Sequence, residues 1–221
     1  MKHPAVLVPL VLGSLALAVS VLLHGRLPES MAIHWNLSGE PDGFASRQIG
    51  AFALPVLTLL LSLGRTVIHR LEPRAPNLER SSKALSALVV AMALVLTLVH
   101  LTILAAAIGM TINPAAVAIG ATGLLLTLSG NYMGKTRSNF AIGIRNRWTL
   151  SDEQVWDKTH RVGGRLFVAE GVVALLISLT GLSGTETAIA LFAAVAATLG
   201  GLHLYSLSLW RNRAPGGGRT R

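Results

Sequence analysis

The sequence predicts an all-α polytopic membrane protein, with six transmembrane helices, both termini cytoplasmic and a short amphipathic helix in the fourth connection. Three observations predict it. Hydrophobic residues make up 52% of the 221 residues and charged residues only 13%, where a soluble domain carries roughly 25% charged residues. The charges lie between long apolar runs, and mean hydropathy is +0.58. Lysine and arginine concentrate on alternate connections between those runs. This composition excludes a disordered chain and argues against a water-soluble globule. There is no cysteine, which excludes disulfides, thiolate metal sites and a cysteine nucleophile.

Each span follows from its run, because about 20 apolar residues cross about 30 Å of hydrocarbon. Pro4 to Leu23 contains no Lys, Arg, Asp or Glu, giving a first helix over 4–23. Ala16-Leu17-Ala18 superficially fits a signal-peptide cleavage site. The apolar run continues through Leu23 without a polar segment before that site, so the run is read as a retained helix. The second run, 49–68, is broken only by Arg65 near its end. Between Lys83 and Lys135 lie 51 residues without such a charge. That stretch divides at Gly109-Met110-Thr111-Ile112-Asn113-Pro114, where Asn-Pro favours a turn, giving helices over 84–108 and 115–133. The fifth span, 166–183, holds only Glu170, and the sixth, 187–209, holds no charge. The expected organisation is a two-helix membrane domain with a structured outer loop over 1–83, a four-helix membrane domain over 84–210, and a disordered basic tail over 211–221. Such a tail would lie near anionic headgroups.

In this arrangement seventeen Lys and Arg fall on one side and two, Arg26 and Arg47, on the other. The positive-inside rule then places both termini in the cytoplasm of a multi-pass protein of the cell membrane. The same asymmetry accounts for the net charge of +9 without nucleic acid as a partner; the expected surroundings are the lipid bilayer. Trp35 and Trp210 fall near membrane edges, where interfacial anchoring is expected.

No motif specifies an enzyme, a cofactor or a metal. Gly130 to Thr136 resembles a phosphate-binding loop but is one residue too short and follows a membrane helix rather than a strand. The seven histidines show no metal-ligand spacing, and there is no G-x-S-x-G elbow.

Two connections are richer than tethers need to be. The outer one, Ile33 to Gly43, carries glycines and a Pro41-Asp42-Gly43 turn that would fold it compactly. His34, Asn36, Glu40 and Asp42 could hold a cation or a polar group, or bond to one another as a cap over the helix ends. The inner one, Asn131 to Arg165, contains a helix start with Ser151 as N-cap, Gln154 closing a capping box, and Leu150 and Val155 as a staple. This short helix would end at Gly163-Gly164 and turn Val155, Trp156 and Thr159 toward the membrane. Trp156 and His160, four apart, share a face. Its role would be an elbow into the fifth span or a docking site for a partner.

These two connections carry a resemblance. Pro28 to Gly43 resembles the motif P-x-x-I/M-x-x-H-W/F-N-x-x-G-x-P-D-G of an N-terminal domain of unknown function, with His34, Asn36, Gly39, Asp42 and Gly43 matching. From Gly130 the chain resembles G-N-x-x-x-K-x-x-x-N-x-x-x-G-I-R-T-x-W-T-L followed by W-x-x-T-H-R-x-x-G. Asn131, Asn139, Gly143, Arg145, Trp148, Trp156, His160 and Arg161 are among the matches. Together they resemble the SdpI family of bacterial immunity and signalling membrane proteins. Ser138 stands where a proline is usual, and Asn146-Arg147 replaces a threonine and its neighbour. The resemblance implies a non-enzymatic protein. It would protect against a secreted, membrane-active peptide toxin outside and hold a cytoplasmic repressor inside.

The alternative is a small transporter or channel using polar groups within the spans: Glu170, His203 and His100. Glu170 lies about 7–8 Å, and His203 about 10 Å, from the same membrane edge at 1.5 Å per residue. Glu170 is therefore expected to pair with His203, or with Arg165 one turn away.

Overall fold

The structure, a computed structural model, describes residues 4–36, 38–180, 182 and 184–213. Its helices are α1 (Pro4–Leu23), α2 (Arg47–Leu71), α3 (Ala75–Arg80), α4 (Ser82–Ala107), α5 (Pro114–Met133), α6 (Arg147–Ser151), α7 (Glu153–Ser178) and α8 (Thr185–Arg211). Five of them, α1, α2, α4, α5 and α8, contain stretches long and apolar enough to cross a membrane. α7 departs from that pattern because Glu153, Asp157, Lys158, Arg161 and Arg165 occupy its first half. The chain is thus a mostly helical, multi-pass membrane protein. α1, α2 and α4 pack on one another; α5 joins α4 to α7, and α8 lies against α7.

The bounds follow local chemistry. α4 stops at Ala107, Gly109 takes a positive φ of 82°, and Asn113 caps α5 by accepting from the Ala116 N–H at 3.1 Å. Pro114 follows at the first helical position, where its missing N–H costs nothing. This is the turn expected from Asn-Pro.

Three expectations are corrected. The outer connection is a hairpin within an otherwise helical chain: β1 (Ser30–Trp35) and β2 (Pro41–Ser46) pair antiparallel between α1 and α2. Pro41-Asp42-Gly43 lies in β2 rather than forming the turn. Asn36 to Glu40 makes the reversal, with the Asn36 N–H donating to the Glu40 carbonyl at 2.9 Å and Gly39 at a φ of 81°. Gly43 is needed in the strand, because a Cβ there would lie 2.8 Å from the His34 Cβ.

The short helix of the fourth connection is the third correction. It does not stop at Gly163-Gly164 but is the first part of α7, and its N-cap is Asp152 rather than Ser151. The Asp152 side chain accepts from Gln154 and Val155 N–H at 2.8 and 3.0 Å. Ser151 instead ends α6. A helical glycine costs about 1 kcal/mol relative to alanine. Here that cost is offset by packing that only glycine permits. Gly123 and Gly130 of α5 face Gly171 and Gly164 of the antiparallel α7. A Cβ on Gly123 would lie 2.8 Å from the Gly171 carbonyl oxygen, and one on Gly164 would lie 2.7 Å from that of Gly130. Each glycine pair is seven residues apart, so both sit on one stripe of their helix. Small residues at such a seam let backbones approach where lipid supplies no hydrophobic drive between helices. The tail beyond residue 213 lies outside the described residues.

Gly171→Val should therefore destabilise the folded protein by more than the about 1–3 kcal/mol usual for overpacking, because its nearest obstacles include the Thr127 and Gly123 backbones. Gly200→Ala, with open space at its Cβ position, should be neutral or slightly stabilising. Thermal unfolding in detergent distinguishes them; an equal response at both positions would remove the seam from this account.

Candidate functional site

The hairpin end holds a cleft of about 330 Å³. Ile33, His34, Trp35 and Asn36 of the hairpin roof it, and Thr102 of α4, Ala118 and Thr122 of α5 and Phe192 of α8 contribute to its walls. The hairpin is held in place from below. Leu27 and Met31 are buried with Ala51 of α2 and Ile103 and Leu104 of α4, and Trp35 packs on that cluster.

The polar residues of the hairpin satisfy one another in two groups. His34 Nδ1 meets Asp42 Oδ1 at 2.5 Å. The Asn36 Oδ1 accepts from Ser38 and Glu40 N–H at 2.9 and 3.0 Å, while its amide donates to the Glu40 carboxylate at 3.3 Å. The self-bonded arrangement is the one found, and among the described residues no three histidine, aspartate or glutamate side chains gather as metal ligands.

The opposite, basic end carries the second motif. Asn139 is fully buried. Its Oδ1 accepts from Ala141 and Ile142 N–H at 2.9 and 2.8 Å, and its amide donates to the Arg137 carbonyl at 2.7 Å. That side chain supplies the bonds that an irregular buried loop cannot make with its own backbone. Asn146 caps α6 in a capping box with Thr149, so its place in the departure from the family motif has a structural use. Its amide also donates to Ser206 Oγ of α8 at 2.9 Å.

Trp156 is fully buried, not turned toward the membrane. Its indole N–H donates to the Thr136 carbonyl at 3.1 Å, and its ring stacks on His160 with centroids 3.9 Å apart. His160 uses both nitrogens. Nδ1 donates to the Trp156 carbonyl at 2.8 Å, and Nε2 accepts from the Ile144 N–H at 2.8 Å. These bonds require the neutral ring. Burial lowers its pKa from 6.5 to about 4, against a smaller raising contribution from the Trp156 carbonyl. Gly143, at a φ of 115°, passes directly over this pair; a Cβ there would lie 2.5 Å from His160 Nε2. The Arg145 guanidinium donates to the Phe140 carbonyl, and Trp148 meets His203 edge-on at 5.0 Å. Asn131 and Arg161 are exposed on α5 and α7.

Residues outside the motifs complete this end. The Glu72 carboxylate, nearly buried, accepts from Phe140 N–H at 3.0 Å and Arg74 N–H at 2.9 Å. Arg74 donates to Ser138 Oγ and, at 2.9 Å, to the Leu150 carbonyl. Asn77 donates to the Ser138 carbonyl at 2.8 Å. The signal for them was a carboxylate and an amide in a connection otherwise conspicuous for its cations.

Within the spans, Glu170 pairs with neither His203 nor Arg165. Thr198 Oγ1 of α8 donates to its carboxylate. The helices are neighbours as expected. His203, however, is five residues beyond Thr198, and Arg165 five before Glu170. Five residues turn a helix to about 140° from the starting face. His203 instead approaches the Asn146 amide at 3.5 Å. His100 is fully buried on α4, with Nε2 2.9 Å from Ser20 Oγ, whose own hydrogen goes to the Ala51 carbonyl at 2.6 Å. That cluster ties α1, α2 and α4 together.

Residues 135–206 match the SdpI/YfhL protein family, and residues 11–59 match a domain of unknown function, DUF1648. Over residues 135–206 the chain is similar to the SdpI/YfhL family. It is 26% identical over 205 residues to the immunity protein SdpI of Bacillus subtilis (strain 168), covering 90% of this chain and 95% of that protein. No solved structure matches. The family segment begins at the inner connection and ends on α8, so it includes the Trp156–His160 pair and its partners.

A pH dependence follows from His160. Its folded pKa lies below 6.5, so from pH 6.5 down to about 4 the unfolded chain takes up a proton that the folded chain refuses. The contribution is complete above pH 6.5 and is lost across that window, by on the order of 3 kcal/mol. Thermal midpoints in detergent should fall between pH 6.5 and 4, and fall less steeply in His160→Gln. Parallel pH profiles for the two proteins would remove His160 as the cause.

Proposed function

We propose that this chain is an immunity protein of the cell membrane that recognises an apolar, membrane-active peptide toxin at the hairpin end. The observation that carries this is the cleft: motif residues His34, Trp35 and Asn36 roof a largely apolar hollow formed by α4, α5 and α8. Such a site suits a peptide segment that reaches the protein along the membrane, with polar groups at the rim to orient it. The relative's name, an immunity protein, supports the same reading.

In this proposal α7 is the fifth of six spans, entering the bilayer at about Leu166, and both termini are cytoplasmic. The basic end then faces the cytoplasm, where a repressor would dock. Trp156 is buried and does not form that surface. Glu153, Gln154, Lys158 and Arg161 of α7 are exposed and would.

The transport alternative draws on the second Glu170 oxygen, Oε2, which is buried without a hydrogen-bond partner. Its proposed companion His203 is engaged with Asn146 and Trp148 instead.

Two experiments check the proposal. Cells lacking the gene, challenged with membrane-active peptides from toxin-producing strains, should become sensitive, and the intact gene should restore protection. Ala118→Phe, which fills the cleft, should lose at least about tenfold of that protection at normal protein level, while Glu170→Gln should retain it. Protection abolished by Glu170→Gln and untouched by Ala118→Phe would favour the transport reading. For orientation, a reporter active only in the cytoplasm should be active after Arg213 and silent near Gly43; activity at both places would refute the six-span arrangement.

A further inference from the structure

We infer that the basic end carries a built site for one anionic phospholipid, on the outer flank of the α5–α7 seam. The site is a cleft of about 390 Å³. Gly134 and Gly164 contribute only backbone to its lining. Lys135, Arg161 and Arg165 surround it, with the Asn131 amide. Arg161 and Arg165 are four apart and share a face of α7; Asn131 lies in the last turn of α5 and Lys135 in the turn that follows it. All four are exposed.

The charges around this cleft are left for a ligand to neutralise. Of the nearest α7 carboxylates, Asp157 turns to Arg137 at 3.3 Å and Glu170 to Thr198. Lys135 rests against the Tyr132 ring, with Nζ 5.1 Å from its centroid. Three cations around one hollow repel one another, and a phosphate with several acceptor oxygens relieves that repulsion while using their donors.

The apolar part of the site selects lipid over free phosphate. Val168 lines the cleft one turn beyond Arg165, and the exposed Val172 continues the stripe, about 10 Å further along the helix from Arg165. A headgroup held by the cations would lay an acyl chain against these valines. This needs only a membrane-embedded chain and is independent of the immunity proposal.

The test uses the full chain in a neutral detergent, titrated with dioctanoyl phosphatidylglycerol and followed by native mass spectrometry. One bound lipid is expected, and the phosphatidylcholine of the same chain length should bind at least tenfold more weakly. Arg161→Gln/Arg165→Gln should weaken phosphatidylglycerol binding roughly 30-fold, at about fivefold for each basic side chain near an anionic group. Arg80→Gln, on α3, should leave it unchanged. Inorganic phosphate should not displace the lipid at comparable concentration. Should the double variant fail to fold, Lys135→Gln provides a separate reading with about a fivefold loss. Equal binding of the two lipids, unchanged binding in the folded variants, or displacement by phosphate alone would each overturn the assignment.

Discussion

The rest of the structure depends on the backbone contact between α5 and α7. Four glycines remove the side chains that would hold these helices apart, and each helix then meets the other's peptide groups directly. With no hydrophobic drive between helices in lipid, close packing of this kind must supply the association. The contact also explains why α7 runs through Gly163-Gly164 without breaking. A glycine that weakens a helix in isolation is retained where a larger residue would strike the facing backbone. Once α7 is fixed along α5, its first three turns extend toward the basic end, and Trp156 and His160 come to lie under the loop that leaves α5.

That loop has little regular structure of its own, so its polar backbone groups need partners from side chains. They come from three directions. Asn139 and Asn146 serve it from within; Glu72, Arg74 and Asn77 reach it from the connection before α4; His160 and Trp156 reach it from α7. The arrangement is nearly closed, since a partly satisfied buried network is costly. His160 is the sensitive member, because its neutral form alone can both donate from Nδ1 and accept at Nε2.

The helical spans were legible because burial in lipid imposes a length and an apolar composition that survive in a single sequence. The bounds of α1 were matched, and the Asn113-Pro114 turn was marked by local chemistry. What was missed depends on tertiary partners. Gly163-Gly164 reads as a stop until the facing Gly130 is known. Trp156 reads as an interfacial residue until the loop above it is in place. Glu170 and His203 lie at similar depth, but depth along an axis does not give rotation about it. The hairpin was missed because its glycines and Pro41 outweigh, in sequence terms, the short β-forming runs on either side, and pairing between them is what makes them strands. The outer and inner motif residues were identifiable from the resemblance, but their partners Glu72 and Arg74 were not, because they belong to a different segment of the chain.

The same packing determines how the two ends can act on each other. α5 and α7 move as one body, since sliding either past the other drives glycine-facing backbone into side chains. α8 has no such seam. Gly200 and Gly201 face open space, and much of its surface is exposed. It nevertheless touches both ends: Phe192 lines the cleft at the hairpin end, while Ser206 and Trp210 bond to Asn146 and Ser151 at the basic end. A ligand in the cleft moves such a helix only by the difference in its affinity for two positions. The polar tethers at the far end, from His203, Ser206 and Trp210, are few enough to be exchanged for water at small cost, because each net hydrogen bond contributes only about 0.5–1.5 kcal/mol. In this packing α8, and not the α5–α7 seam, is therefore the element whose position a ligand in the cleft could shift.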